Sequence, residues 1–216
     1  EQKLAMYRNA LRCAHEGLPR RFPNLEIVDV PYENSALAAY FLKSTRGNGR
    51  APTLVLFDGL DNCKEMSVLF AGVELAFRGY HTLAIDGPGQ GEALRLRDIP
   101  ARYDYEVAGT AAYEYVAGRS DVDAKRVAIM AYSAGGYYAP RCASMEPRFA
   151  ACVAWGAIWD YHATWKKRVE AAFNAAMSIS AASAVMSIDV VRPEIWKLRF
   201  MSIGFAHAEQ VACTGI

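Results

Sequence analysis

The chain has 216 residues, 53% of them hydrophobic and 22% charged, a balance that suits one globular domain and excludes a disordered chain. Its 24 basic and 23 acidic residues leave a net charge of +1, so no basic field exists to grip nucleic acid or an anionic membrane surface. The 5 cysteines are scattered, odd in number and free of any CxxC pair, which points to free thiols in a reducing, cytoplasmic setting rather than a zinc site or a disulfide framework.

Taken in chain order, Leu4, Tyr7, Leu11, Ala14 and Leu18 keep helical spacing, so residues 2–17 read as an amphipathic helix ended by Pro19 and Pro23. Glu1 to Arg12 are polar and do not read as a leader. Leu25–Val30 alternates and Ala36–Leu42 is apolar, with a turn at Glu33-Asn34-Ser35 between them, the pattern of a β-hairpin. Thr53–Phe57 has the unbroken apolar run of a strand covered on both faces. A helix over 64–77, a strand His81–Ile85, a helix Tyr105–Ala117, a strand Arg126–Ala131, a helix Ser133–Met145 and a strand Phe149–Trp155 follow. This rhythm predicts an α/β fold with a mainly parallel sheet covered by helices. From 160 to 200 the chain reads as helical and rich in Ala, Met and Trp. Its most apolar stretch, Val169 to Ser187, carries Glu170 and Asn174 and does not read as a membrane span.

The strongest chemical signal is Ala131-Tyr132-Ser133-Ala134-Gly135-Gly136, where an apolar strand runs into a serine and a helix begins at once. A sharp strand-to-helix turn lifts a serine Oγ above the sheet and crowds the residues two before and two after it, which must be small; here they are Ala131 and Gly135. Ser133 is the candidate nucleophile, and the Ala134 N–H at the helix start is a candidate oxyanion donor. The alternative is an ordinary serine helix cap. Phe57-Asp58-Gly59-Leu60-Asp61-Asn62 follows a buried strand and offers the Leu60 N–H as the second donor, unless it is a plain strand-to-helix turn. Asp86-Gly87-Pro88-Gly89-Gln90-Gly91-Glu92 has neither the spacing nor the Lys-Ser/Thr of a phosphate loop, and reads as a turn at the pocket mouth. No metal-ligand spacing or cofactor motif accompanies these segments, and neither is expected.

The blocks Gly59-Leu60-Asp61-Asn62-Cys63-Lys64-Glu65, Asp86–Glu92, Ser133–Ala139, Glu146-Pro147-Arg148 and Trp155-Gly156 occur in one order over residues 25–165. On them the chain resembles the α/β-hydrolase group that includes 2,6-dihydroxypseudooxynicotine hydrolase and the Ayg1-like and FrsA-like hydrolases. The resemblance implies a serine hydrolase with a helical cap, acting on a small carbonyl compound through an ester or a ketone-adjacent C–C bond. It also implies the layout: an N-terminal helix over 1–20, a hydrolase core over 21–159 and a cap segment over 160–216. In this fold the acid and then the histidine follow the serine, and the resemblance implies that they come after two further strands, the seventh and the eighth. Neither strand is visible before Ile216, so the chain is expected to be a fragment of a longer product that lacks its C-terminal part.

His15 and His81 precede the serine and read as structural. His162 and His207 follow it, but neither stands at the family's histidine position. Asp160 is a candidate acid or pocket residue, and Tyr137 a candidate pocket residue beside Tyr138. Three readings stay open: a serine hydrolase, a non-catalytic chain of the same fold acting by binding or self-association, and an acyltransferase on the same scaffold. Tyr, Trp and Met in the cap suit an apolar substrate or a partner surface, that of a homodimer included.

Overall fold

The computed structural model describes residues 2–47 and 49–182. The chain divides after Trp159 into two units, Glu1–Trp159 and Asp160–Ile216. Of the second, the described part is one helix, Tyr161–Ala182; residues 183–216, with His207 and the expected helical stretch up to 200, lie outside the described residues.

The first unit is built on one sheet. A helix α1 (Gln2–Arg21) leads to the hairpin β1 (Leu25–Tyr32) and β2 (Ser35–Leu42), turned by Glu33 in the left-handed region at φ 48°. Then come β3 (Ala51–Phe57), α2 (Lys64–Ser67), a π turn at Val68–Gly72, α3 (Val73–Phe77), β4 (His81–Ile85), α4 (Gly91–Arg97), α5 (Glu106–Ala117), β5 (Val122–Tyr132), α6 (Gly135–Met145) and β6 (Ala151–Trp155). The strand order is β1-β2-β4-β3-β5-β6. β1 and β2 pair antiparallel, as do β2 and β4, while β4, β3, β5 and β6 run parallel.

The inner strands of the sheet are apolar on both sides because helices cover both, whereas the edge strand β6 is largely exposed. Leu54, Leu56, Ala128 and Met130 pack with Ala71 and Leu75 of the 64–77 segment. Tyr40, Leu42 and Ala84 pack with Val68 and Ala76, and with Leu18 and Phe22 at the end of α1. On the other face Val55, Phe57, Leu83, Ile85 and Ile129 are fully buried, as are Ala108, Ala112, Ala139 and Cys142 of the covering helices α5 and α6. There Tyr105 stacks on Tyr138 at 3.9 Å and meets the Phe57 ring edge-on.

Several boundaries differ from expectation. α1 runs through Pro19, which has no N–H for the His15 carbonyl, and ends two residues later at Arg21. The expected single helix over 64–77 is broken by the π turn, whose Gly72 lies where a Cβ would come within 3.2 Å of Thr82 Oγ1 on β4. α4 was hidden by the glycines around it. In α6, Pro140 removes the amide that would bond the Gly136 carbonyl, and the Ile158 N–H takes that carbonyl instead, at 3.2 Å.

The register sets the site. Phe57 lies opposite both Ile85 and Ala131, and Tyr132 opposite Trp155, so the loops leaving β3, β4, β5 and β6 all gather at one edge of the sheet. That carboxyl edge is where open parallel sheets bind their ligands.

Candidate active site

Ser133 follows β5 at φ 59°, the left-handed region that a residue with a Cβ occupies only when its surroundings hold it there. Three hydrogen bonds hold it. The Ser133 N–H donates to the Trp155 carbonyl at 3.0 Å, the Ser133 carbonyl accepts from the Gly136 N–H at 2.9 Å, and the Ala134 carbonyl accepts from the Tyr137 N–H at 3.1 Å. The result is the strand-to-helix elbow read from the sequence, with an exposed side chain at its tip.

The glycines after the serine answer to close approaches. A Cβ on Gly135 would lie 2.7 Å from Ala131 Cβ and 2.8 Å from the Asp58 carbonyl oxygen, and one on Gly136 would lie 2.2 Å from the Gly156 carbonyl oxygen. Since Ala131 already fills its side of the turn, position 135 has room for hydrogen only. The same crowding explains Gly59, where a Cβ would sit 2.9 Å from Ser133 Cβ and 3.2 Å from its Oγ. The β3 loop therefore passes directly against the serine side chain. Among the described residues neither the Ala134 N–H nor the Leu60 N–H is engaged in a hydrogen bond. Leu60 is about half exposed, whereas Ala134 is buried. The Ala134 N–H belongs to the residue directly after the exposed Ser133 hydroxyl.

Polar groups that the sequence reading left without a role support this arrangement. Asp58 is wholly buried; its Oδ1 accepts from the Tyr132 hydroxyl, and its Oδ2 has no partner among the described residues. Ser67 Oγ lies 3.2 Å from the Tyr132 hydroxyl. Burial pushes the Asp58 pKa up to about 7, against the pull of the Tyr132 and Ser67 hydroxyls. Behind it, the buried Lys64 Nζ lies 3.0 Å from Asp86, 3.1 Å from Glu65 and 3.2 Å from Glu92. Asp86 also accepts the Lys64 and Glu92 backbone N–H groups, both at 2.7 Å, and so joins the loop after β3 to the loop after β4.

The loop 86–92 is almost entirely buried, so it braces the site from behind and does not line a pocket mouth. A Cβ on Gly87 or Gly91 would run into Tyr105 or Asp86, which leaves no room for a phosphate there. The signal that could have found these groups was present: charged residues and an amide in the turns directly after apolar strands.

The other candidates fall elsewhere. His81 stands at the start of β4, the end of the sheet away from Ser133; its Nδ1 accepts from the Ser44 N–H at 2.7 Å and its Nε2 faces the Asp121 carbonyl at 3.0 Å. The His15 ring packs edge-on against Tyr40. Asp160 accepts the Ala163 N–H at 2.7 Å and thereby caps α7 (Tyr161–Ala182), where His162 also lies. The Tyr137 hydroxyl is 3.3 Å from the Arg141 guanidinium. No imidazole of the first unit forms a hydrogen bond with Ser133 Oγ among the described residues. No group of metal-ligating side chains occurs among them either, nor any helix long and apolar enough to cross a membrane.

Comparison with known proteins finds likeness in sequence and in fold. The sequence profile of the alpha/beta hydrolase family covers residues 63–212. The chain is 32% identical over 120 residues to 2,6-dihydropseudooxynicotine hydrolase of Paenarthrobacter nicotinovorans, an alignment covering 56% of this chain and 32% of that protein. It is 32% identical over 159 residues to the hydrolase acrC of Aspergillus aculeatus, covering 66% of this chain and 37% of the relative. The crystal structure of 2,6-dihydroxy-pseudo-oxynicotine hydrolase superposes with a TM-score of 0.67 at 26% identity, over 72% of this chain and 43% of that one. The chain thus spans about a third of the length of these curated relatives.

Proposed function

We propose that this chain, which belongs to the alpha/beta hydrolase family, carries the nucleophile of a serine hydrolase for small carbonyl compounds. The observation that carries the reading is Ser133 itself: an exposed hydroxyl on a turn held at φ 59°, with the Gly59 backbone against it and two unengaged N–H groups beside it. In the reaction, Ser133 Oγ adds to the substrate carbonyl carbon and gives its proton to a general base. The negative oxygen that results is held by the Ala134 and Leu60 N–H groups. Collapse expels an alcohol, or a carbanion stabilised by a neighbouring ketone, which takes up the proton and leaves an acyl group on Ser133. Water then adds to that acyl carbon and frees the acid and the serine. An alcohol acceptor in place of water would make the same scaffold an acyltransferase. The base and its orienting acid are assigned to parts of the protein outside Glu1–Trp159, since the histidines within that unit are held in other contacts.

A second reading, a chain of this fold that binds without catalysing, draws on the Ser133 hydroxyl having no imidazole partner among the described residues. Ser133→Ala in the whole gene product separates the two. Turnover of a p-nitrophenyl ester and of a β-diketone is expected to fall by roughly 10³-fold or more. Unchanged turnover removes Ser133 from the mechanism.

A further inference from the structure

We propose that Gln90 is a positioning residue that sets the direction of the Leu60 N–H, a role that rests on the reading of Ser133 given above. Gln90 is 2% exposed, and its amide is saturated. The Nε2 donates to the Asp58 carbonyl at 2.6 Å and to the Gly59 carbonyl at 2.7 Å, while Oε1 accepts from the Gly87 N–H at 3.0 Å and the Tyr105 hydroxyl at 2.9 Å. A side-chain amide has two donors and two acceptor sites, and all four are used. The orientation follows from the partners: a backbone N–H only donates and a carbonyl only accepts, so Oε1 must face Gly87 and Nε2 the two carbonyls.

The consequence lies in the peptide units that those carbonyls belong to. In a planar trans peptide the carbonyl and the N–H of the next residue point in opposite directions. Holding the Gly59 carbonyl toward the buried amide therefore turns the Leu60 N–H away from it, out of the packed interior, where it meets no protein acceptor. Holding the Asp58 carbonyl does the same one unit earlier, and fixes the stretch of backbone that rests on Ser133. Without the clamp the Gly59–Leu60 peptide is free to rotate, because Gly59 permits it. A rotation would point a carbonyl at the developing oxyanion instead of a donor. Gln90 touches neither substrate nor Ser133; it acts through the loop.

The test is Gln90→Glu in the whole gene product, nearly the same in shape but unable to donate to two carbonyls. It is read against wild type and Ser133→Ala with a p-nitrophenyl ester and with a trifluoromethyl ketone, which forms a tetrahedral oxyanion adduct on a serine. Loss of one oriented oxyanion donor lowers kcat by about 10²-fold or more, with KM within about threefold. The affinity for the trifluoromethyl ketone is expected to fall in step with kcat. A merely structural Gln90 would lower the melting temperature and leave kcat, KM and ketone affinity of the folded protein at wild-type values, and that result overturns the proposal. Should Gln90→Glu not fold, Gln90→Asn keeps the amide one methylene short of reaching all four partners, and the same split between kcat and KM is expected. If Ser133→Ala keeps its activity, the reading of the nucleophile fails and this role fails with it. If Ser133→Ala is inactive while the Gln90 variants turn over and bind the ketone like wild type, only the role of Gln90 fails.

Discussion

Asp58→Asn should stabilise the protein, and only above a certain pH. The Asp58 side chain is fully buried, with one carboxyl oxygen on the Tyr132 hydroxyl and the other without a partner among the described residues. Burial raises its pKa from 3.8 to about 7, and the nearby Asp86 and Glu65 carboxylates push the same way. The folded-state value lies above the unfolded one, so the folded chain keeps a proton that the unfolded chain has already lost. The stability this confers is fully present below pH 3.8 and is lost as the pH rises through about 7. At about 1.4 kcal/mol per pH unit over some three units, the loss approaches ~4 kcal/mol as an upper bound. Asparagine is neutral throughout and still accepts from Tyr132. The variant should match wild type near pH 4 and exceed it by up to ~4 kcal/mol near pH 8, as read from urea-unfolding midpoints at both conditions. Titrating groups that do not interact with Asp58 cancel in that comparison. A difference that does not change with pH, or a variant less stable than wild type near pH 8, would refute the buried, proton-holding carboxyl.

Two further substitutions test the packing around the site. Gly135→Ala places a methyl 2.7 Å from Ala131 Cβ and 2.8 Å from the Asp58 carbonyl oxygen, and should cost about 1–3 kcal/mol in unfolding experiments. Adding Ala131→Gly should recover part of this but not all, since the Asp58 contact remains; full recovery would show that the carbonyl contact is unimportant. Lys64→Met leaves the buried Asp86 and Glu92 and the half-buried Glu65 without their shared cation and should cost about 3–5 kcal/mol near neutral pH. The cost should shrink on acidification as the carboxylates protonate, and a cost independent of pH would contradict the assigned ion pairing.

The sequence revealed most of the parts of this molecule that rest on local pattern. The strands β3 and β4 could be read from short apolar runs because a parallel sheet buried between helices leaves no polar alternation; β6 has the same apolar run but lies largely exposed at the edge of the sheet. β5 extends further back than its apolar run, since Val122–Arg126 mixes charged and apolar residues. The elbow at Ser133 was legible because its crowding dictates small residues at fixed offsets. The π turn was not, because it is set by how closely Gly72 approaches Thr82 on a neighbouring strand. Nor were the roles of Gln90, Lys64 and Asp86. Their partners come from separate loops, 22 to 32 residues away for the bonds that join 58–64 to 86–92, and only the parallel register of β3 and β4 brings those loops together. The sequence reading of 86–92 as a pocket turn failed for the same reason: its polar side chains face inward, toward groups that local spacing does not reveal.

The most direct test of the central claim is covalent. The whole gene product is treated with a fluorophosphonate, digested, and analysed by mass spectrometry for the peptide that contains Ser133. An activated serine displaces fluoride, and the account predicts a phosphonyl mass increment on Ser133 that disappears in Ser133→Ala. An unmodified Ser133 in folded protein, or a label on a different serine, would contradict the account.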